Sequence, residues 1–274
     1  MKKAFLFVVV LILTAIYVDH VSISIPVALE KRIIEEEQAE AASDASPVIR
    51  VMTYNMHRGI NRKGKLDLDG IVAVIKSSGA EIIALQEVER FSIRTGFLDQ
   101  IKYMADKLSM QYAFGKSINI LNGEYGNGIL SKFPIEEYEV NKLPSEGETR
   151  ILLKARLNVK GKKLLLFNTH LGLKQNERNM QIEEILRFTG GENNFLLAGD
   201  FNTGVDKLDA ITAKLVDSGS FGDNNNMATF EKDEISERID YIFTPESLEV
   251  MDYSIIESDA SDHYPVISIL KFVD

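Results

Sequence analysis

The chain has 274 residues, of which 45% are hydrophobic, and it carries a formal net charge of −10 and no cysteine. The lack of cysteine excludes disulfides, a lipid-modified cysteine and any thiolate metal site. The acidic balance argues against a protein that binds nucleic acid through a broad basic surface. It does not exclude a nuclease, because a bound divalent metal can supply the local positive charge that a phosphate needs.

The amino-terminal segment has the pattern of a targeting sequence. Met1-Lys2-Lys3 precedes an apolar run from Ala4 to Val18, and this length is typical of a secretory signal or a short signal anchor. The nearest small-residue pattern for cleavage is Ser22-Ile23-Ser24. We therefore interpret residues 1–18 as an uncleaved anchor that leaves the rest of the chain outside the membrane, with secretion after cleavage as the alternative.

The segment after the apolar run is predicted to be a linker, over residues 19–46. From Leu29 to Ser46 it is rich in Glu, Ala and Ser and has little apolar surface to bury. The folded domain is predicted to span 47–274, which is long enough for one large domain with a substantial core.

Within that domain, strands are predicted over Val48 to Met56, Glu81 to Glu87, Gly126 to Lys132, Ile135 to Lys142, Ile151 to Val159, Lys163 to His170, Phe195 to Asp200, Arg238 to Phe243, Leu248 to Ile256 and Tyr264 to Phe272. Helices are predicted over Asp67 to Ser78, Leu98 to Met110, Lys174 to Phe188 and Lys207 to Val216. Strands outnumber helices, and few helices lie between strands. The pattern therefore favours two packed sheets covered by helices over a single wound parallel sheet.

Two parts of the chain repeat one pattern. Asn-x-His-x-Gly occurs at 55–59 and again at 168–172, an offset of 113 positions. Each copy is followed by a helix-like segment and a second apolar strand that ends in a carboxylate, Glu87 in the first half and Asp200 in the second. In both halves the carboxylate comes 32 positions after the Asn. We interpret this as an internal duplication that brings both sets of strand ends to one rim.

Eight polar residues at the ends of predicted strands are candidates for a functional site: Asn55, Glu87, His170, Asp200, Asn202, Asp240, Asp262 and His263. Taken singly, such residues are usually turn or surface residues. Together, the acids and the amide offer the hard oxygen ligands that suit Mg²⁺, Mn²⁺ or Ca²⁺. Two histidines without a nearby thiol suit proton transfer and phosphate contact better than structural zinc.

Six motifs resemble, in the same order, those of the endonuclease/exonuclease/phosphatase superfamily. They are Tyr54-Asn55, Leu85-Gln86-Glu87, Asn168-Thr169-His170, Gly199-Asp200-Phe201-Asn202, Arg238-Ile239-Asp240-Tyr241-Ile242 and Ser261-Asp262-His263-Tyr264-Pro265-Val266. The resemblance implies an α/β fold, a four-layer sandwich of two mainly antiparallel sheets covered by helices. It also implies hydrolysis of phosphoester bonds that depends on Mg²⁺ or Mn²⁺. The superfamily includes deoxyribonucleases, abasic-site endonucleases, sphingomyelinases and inositol phosphatases, and the fold alone does not choose among them.

The resemblance also implies roles on the metal side of the site. Glu87 is similar to the principal metal ligand, with Asn55 beside it, and Asp262 faces the metal. Asp200 corresponds to the group that orients and deprotonates the attacking water. Asn202 corresponds to the residue that holds this carboxylate and a phosphate oxygen.

The resemblance implies that both histidines lie close to the phosphate of the substrate. His263 resembles the family histidine that contacts the phosphate and is held in its tautomer by Asp240. His170 matches the histidine that family deoxyribonucleases and sphingomyelinases place near the leaving group.

Two further stretches, Ser92 to Gln100 and Gly123 to Ser131, resemble hydrolases related to glycosylphosphatidylinositol-anchor lipid remodelling proteins. In that branch Arg150 is expected to contact phosphate, because a guanidinium can bind two oxygens at once. We expect a monomeric enzyme that acts on a phospholipid or small headgroup in preference to nucleic acid. The alternatives are an extracellular deoxyribonuclease-like endonuclease and a binding module that kept the fold and lost catalysis.

Overall fold

The computed structural model describes residues 46–222 and 227–273. The predicted anchor and all but the last residue of the predicted linker lie outside this part of the chain. The described residues belong to one compact unit, Ser46–Asp274. None of the helices in the described part is long and apolar enough to cross a membrane.

Two six-stranded sheets form the centre of the fold. The first has the order β13-β14-β1-β2-β4-β3, with bounds β1 Val48–Asn55, β2 Ile82–Arg90, β3 Gln111–Ile120, β4 Gly123–Ser131, β13 Leu248–Ile255 and β14 Val266–Phe272. The second has the order β5-β6-β7-β8-β12-β9, with bounds β5 Ile135–Lys142, β6 Ile151–Val159, β7 Lys162–His170, β8 Phe195–Asp200, β9 Val216–Asp217 and β12 Asp240–Thr244. A separate hairpin joins β10 Phe230–Lys232 to β11 Ile235–Glu237.

Each sheet contains a parallel pair in an otherwise antiparallel arrangement. β1 pairs with β2 in the first sheet, and β7 pairs with β8 in the second. A helix connects the strands of each pair, α1 Leu68–Ser78 in the first half and α3 Gln175–Thr189 in the second. The predicted two-sheet fold with an internal duplication is confirmed by this arrangement.

The helices lie outside the two sheets and complete four layers. One apolar cluster fills the space between the sheets, and it includes Val51 and Ala198. A second packs the outer face of the first sheet against α1 and α2, which spans Gln100–Leu108. A third packs the outer face of the second sheet against α3. In β8, Leu196 and Ala198 face the other sheet while Phe195 and Leu197 face the helix layer, which explains why its apolar run does not alternate with polar residues.

The prediction for α1 is confirmed together with its ends. The Asp67 carboxylate caps the helix by accepting a hydrogen bond from the Gly70 N–H, at 2.8 Å. At the other end Gly79 has a φ of 68°, the left-handed conformation that favours glycine.

The predicted helix over Lys207 to Val216 is wrong. Only one helical turn forms there, α4 Asp209–Thr212, after a 3₁₀ turn at Val205–Lys207. Val216 then pairs with Thr244 at the edge of the second sheet. The chain leaves the helical conformation early because it forms this edge strand, and a local sequence pattern does not reveal such pairing.

Candidate active site

Three candidate side chains lie side by side in one row of the second sheet. His170 is the last residue of β7 and lies beside Asp200, the last residue of β8, in the parallel register. Asp240, the first residue of β12, lies beside Asp200 on its other side. The strands approach closely here, because a β-carbon on Gly199 would lie 2.0 Å from the Thr169 carbonyl oxygen. Glycine at position 199 therefore permits the close approach of β7 and β8 that places His170 beside Asp200.

The first sheet reaches the same place through Asn55, at the end of β1. The Asn55 Nδ2 group donates hydrogen bonds to Asp200 Oδ2, at 2.9 Å, and to Glu87 Oε1, at 3.2 Å. Asn55 therefore links the terminal carboxylates of the two related halves. The strand ends of both sheets meet at one rim, as the duplication predicted.

A β-bulge sets the direction of Glu87. Leu85 pairs with Gly128 and Val88 with Gly126, so that two residues of β2 oppose the single Asn127 of β4. Glu87 has a φ of 59° and stays partly exposed, whereas its neighbours Gln86 and Val88 are buried. An extra residue in a bulge can point away from both faces of the sheet, and here it points a carboxylate to the rim.

His263 enters from the loop before β14 and is held by a buried acid. Its Nδ1 lies 2.9 Å from Asp240 Oδ2. The same oxygen accepts a hydrogen bond from the Thr229 hydroxyl, at 2.7 Å. Thr229 in turn accepts from the N–H groups of Ile239 and Asp240, each at 3.0 Å. The chain Thr229, Asp240, His263 fixes the imidazole with its Nε2 towards Asp200, at 3.8 Å.

The two histidines flank Asp200 in different charge states. Burial lowers the pKa of His170 to about 3, although its Nε2 is 3.5 Å from Asp200 Oδ2. Burial also acts to lower the pKa of His263, but the Asp240 carboxylate raises it to about 10. At neutral pH the site therefore has a neutral imidazole on one side of Asp200 and an imidazolium on the other. Burial raises the pKa of the Asp200 carboxyl itself.

Asn202 holds Asp200 through its backbone. Its N–H donates to Asp200 Oδ1, at 2.9 Å, while its side-chain Nδ2 donates to the Leu171 carbonyl, also at 2.9 Å. The φ of 51° at Asn202 allows both contacts. Asn is among the residues that tolerate this left-handed conformation best.

Asp262 lies next to His57, the histidine of the first Asn-x-His-x-Gly motif. Its Oδ1 is 3.5 Å from His57 Nδ1, and the Arg58 guanidinium is 2.6 Å from His57 Nε2. The structure thus joins Asn55 and Glu87 directly, and places Asp262 against His57.

Arg150 is largely buried on the side of His170. Its guanidinium pairs with Glu148, at 2.9 Å, and its positive charge contributes to lowering the pKa of His170. A cation at this position can attract an anionic group that approaches His170.

Two sets of ligand atoms could hold a divalent cation. Asp200, Asp240 and His263 offer atoms that lie within 4.8 Å of one another, but Asp240 and His263 already pair with each other. Glu87 is partly exposed and has Asn55 beside it. The buried Asp240 Oδ1 has no hydrogen-bond partner among the described residues. This excess of carboxylate oxygens fits a hard divalent cation.

Thr229 is the residue that sequence analysis missed. It comes 11 positions before Asp240, in a segment without a recognised motif. A lone threonine gives no signal of its role, which depends entirely on the folded position of β12. Ser261, which is part of a recognised motif, donates its hydroxyl to the Asn55 carbonyl at 2.8 Å and so fixes the His263 loop to β1.

Comparison with known proteins finds one matching family model, described as the endonuclease/exonuclease/phosphatase family, over residues 52–263. The chain is 28% identical over 172 residues to the uncharacterized protein YbhP of Escherichia coli K12, a match that covers 56% of this chain and 66% of YbhP. The match therefore spans slightly less than two thirds of that relative.

Solved structures share the fold. An endonuclease/exonuclease/phosphatase from Beutenbergia cavernae superposes with a TM-score of 0.72 at 22% identity, over 82% of this chain and 72% of that one. TDP2 from Caenorhabditis elegans superposes with a TM-score of 0.66 at 20% identity, over 89% of this chain and 84% of that one.

Proposed function

The chain belongs to the endonuclease/exonuclease/phosphatase family, whose members are generally metal-dependent phosphodiester hydrolases, and we propose that it hydrolyses phosphodiester or phosphomonoester bonds of a phospholipid or small headgroup. The observation that carries the proposal is the position of Asp200. This buried carboxylate is held by Asn55 and by the Asn202 N–H, and it lies between a neutral and a positively charged histidine.

Asp200 is the proposed general base. Its burial raises the pKa of the carboxyl and so makes the carboxylate a stronger base towards water. The two hydrogen bonds to separate oxygens fix its orientation, and fixed orientation lowers the entropic cost of reaching the transition state.

The histidines have different proposed tasks. The imidazolium of His263 stabilises negative charge on the phosphate, and Asp240 keeps it protonated. His170 is neutral in the free enzyme and donates an N–H hydrogen bond towards the leaving group. An anionic phosphate beside His170 raises its pKa, so that it can also pass a proton to the departing alkoxide.

Glu87 and Asn55 are the proposed ligands for Mg²⁺ or Mn²⁺, with Asp262 on the side of His57. Glu87 is favoured over the Asp240 and His263 pair because it is partly exposed, whereas those two neutralise each other. A divalent cation there would neutralise charge that builds up on the phosphate oxygens. Arg150 is the proposed further contact to phosphate.

A lipid or headgroup substrate is favoured over DNA by charge and by the proposed location. The net charge of −10 repels free nucleic acid. A monomer anchored outside the cytoplasm by residues 1–18 would meet headgroups at a high effective concentration. The domain sequence also shows no run of basic residues with interleaved aromatic residues. The anchor predicts that the protein fractionates with membranes and is removed from intact cells by added protease.

An extracellular deoxyribonuclease-like endonuclease is the second candidate. It is supported by His170 beside Asp200, because family deoxyribonucleases resemble this chain at that position. A catalytically silent binding module is less well supported, since the acid, amide and histidine positions are all occupied by residues that can act.

The deciding experiment measures kcat/KM on phospholipid vesicles and on plasmid DNA, in the same buffer with the same metal, with inositol phosphates as a monoester substrate. Faster turnover of phospholipid, lost in Asp200→Asn, supports the proposal. Plasmid nicking that is at least about tenfold faster, and also lost in Asp200→Asn, would establish the nuclease alternative.

A further inference from the structure

An exposed apolar surface lies at the end of the first sheet. The turn between β3 and β4 presents Leu121, and the loop after β2 presents Phe91, Ile93 and Phe97. Their exposed fractions are 55%, 46%, 56% and 58% respectively. We call these four side chains the apolar tip. Single exposed apolar residues are ordinary, but a group of large ones from two adjacent segments marks an interaction surface.

The backbone of the apolar tip is well ordered by contacts within the fold. The Ile93 N–H donates to the Leu121 carbonyl, at 3.4 Å, and the Phe97 N–H donates to the Ser92 carbonyl, at 2.8 Å. Gly123 allows the two segments to touch, since a β-carbon there would lie 2.4 Å from the Ser92 nitrogen. Contacts within the fold therefore fix the backbone of the apolar tip.

The backbone conformation of the apolar tip is energetically unfavourable for large side chains. Phe91, Phe97 and Leu121 have φ values of 58°, 60° and 42°, in the left-handed region that large side chains rarely adopt. The fold holds them there although about half of each side chain faces water. Strain of this kind is found where a protein uses the position for recognition.

The apolar tip is on the same rim as the active site. Glu87 and Phe91 are both on the carboxyl-end side of β2, and four residues of strand correspond to about 13 Å. β4 connects the same two points, because Tyr125 pairs with Glu89 and Glu124 pairs with Arg90. A flat surface that contacts the tip would thus lie close to the mouth of the site.

The charges around the apolar tip balance. Arg90 pairs with Asp99 and with Glu124, Lys116 pairs with Glu124, and Arg94 pairs with the buried Glu89. No cation of this group is left to attract anionic lipid. The surface is apolar at the centre and neutral at the edge, which matches a zwitterionic bilayer better than an anionic one.

We propose that the apolar tip inserts into the headgroup region of a zwitterionic phospholipid bilayer and holds the active-site rim against it. The inference rests on the proposed lipid substrate. The sequence supports a bilayer as the occupant, because the predicted linker over residues 19–46 would keep the domain close to the membrane that its predicted anchor enters.

The absence of tryptophan from the whole chain gives a direct test. Phe97→Trp and Leu121→Trp each place one fluorophore on the tip. Tyr138→Trp is the control, because Tyr138 is 54% exposed but lies on β5, at the edge of the second sheet. The full chain is mixed with phosphatidylcholine vesicles that contain brominated acyl chains, which quench only tryptophan at the bilayer.

Quenching at positions 97 and 121 but not at 138 is the expected result, and anionic phosphatidylserine should not increase it. Equal quenching at all three positions, or none at the tip, would overturn the proposal. A blue shift at the tip without lipid, which grows with protein concentration, would show instead that a second copy of the chain covers this surface.

A second measurement separates membrane docking from catalysis. Asn tolerates the left-handed conformation, so Phe97→Asn with Leu121→Asn preserves the loop geometry. This double variant should lose about tenfold or more in hydrolysis of vesicle phospholipid, because it buries less apolar surface. Hydrolysis of water-soluble bis(4-nitrophenyl) phosphate should be unchanged. An equal loss on both substrates would refute a docking role. If the wild-type protein cleaves neither substrate, the proposed function fails, while the quenching result still tests the tip.

Discussion

At the scale of single residues, environment gives identical side chains different charges. His170 and His263 both have Nε2 within 4 Å of Asp200 Oδ2. Asp240 keeps His263 protonated by direct contact, whereas burial, with a contribution from the Arg150 charge, keeps His170 neutral. Two histidines of one sequence thus provide a fixed cation and a neutral hydrogen-bond donor.

Replacement of the base tests the central assignment. Asp200→Asn keeps the shape of the side chain and removes its basicity, so kcat should fall by about two to four orders of magnitude with the fold intact. Asp206→Asn is a matched control, because Asp206 is an exposed acid six positions further along the chain. The assignment is wrong if Asp200→Asn keeps more than about a tenth of the wild-type kcat.

The depressed pKa of His170 predicts a pH dependence of stability. Its folded pKa, about 3, is below the ordinary value of 6.5. Protons therefore bind the unfolded chain more tightly, and this destabilises the fold as pH falls below 6.5. In EDTA, the free energy of unfolding should fall less between pH 6.5 and 5 in His170→Gln than in the wild type.

His263 predicts the opposite sign. Its folded pKa is raised to about 10, so its contribution to stability is complete below pH 6.5 and is lost as pH rises through 10. Urea denaturation at several pH values measures both effects. Parallel stability curves for the wild type, His170→Gln and His263→Gln would contradict the two charge states.

At the scale of elements, the equivalent asparagines of the two halves, Asn55 and Asn168, make different contacts. Asn55 joins the two carboxylates of the site. Its counterpart Asn168 is fully buried and ties the sheets together: its Nδ2 donates to the Leu85 and Gly128 carbonyls, and its Oδ1 accepts from Gln86 Nε2. Asn55 therefore lies in the candidate active site, whereas Asn168 holds β7 against β2 and β4.

Paired substitutions test this division. Asn168→Ala leaves several buried polar groups unpaired and should lower the free energy of unfolding by about 2–4 kcal/mol. Its kcat/KM should stay within a few-fold of wild type at temperatures where it is folded. Asn55→Ala should lose at least about tenfold in kcat/KM. Denaturation curves and initial rates, measured on the same samples, test both expectations. A loss of activity in Asn168→Ala and a loss of stability alone in Asn55→Ala would mean that the two halves have been assigned wrongly.

At the scale of the whole molecule, both sheets supply acids to one rim of an already acidic protein. Asp200 and Asp240 come from the second sheet and Glu87 from the first. Because like charges repel, a divalent cation should both stabilise the fold and permit turnover.

Metal dependence is therefore expected in two measurements. EDTA should abolish hydrolysis, and Mg²⁺ or Mn²⁺ should restore it. The same metals should raise the Tm of the EDTA-treated wild-type protein, and Glu87→Gln should need a higher metal concentration for both effects. Glu231→Gln, an acid of the β10–β11 hairpin, is the control. Full activity in EDTA would refute the metal requirement.

The sequence by itself determined the fold class and supplied the candidate residues for the site. Apolar strands that end in Asn, His, Asp or Glu at a constant offset predicted two related halves, because strand periodicity and strand ends are local properties of a chain. The predicted strands have boundaries close to those observed, but β3 and the β10–β11 hairpin were not predicted. The candidates at strand ends meet at one rim or beside it.

The tertiary structure decided what the sequence could not show. The bulge that turns Glu87 to the rim depends on pairing with β4. The charge of His263 depends on Asp240, and the position of Asp240 depends on Thr229. The contacts of Asn55 join residues 145 positions apart. Charge state and side-chain direction are set by neighbours that only folding brings together, and a linear pattern does not contain those neighbours.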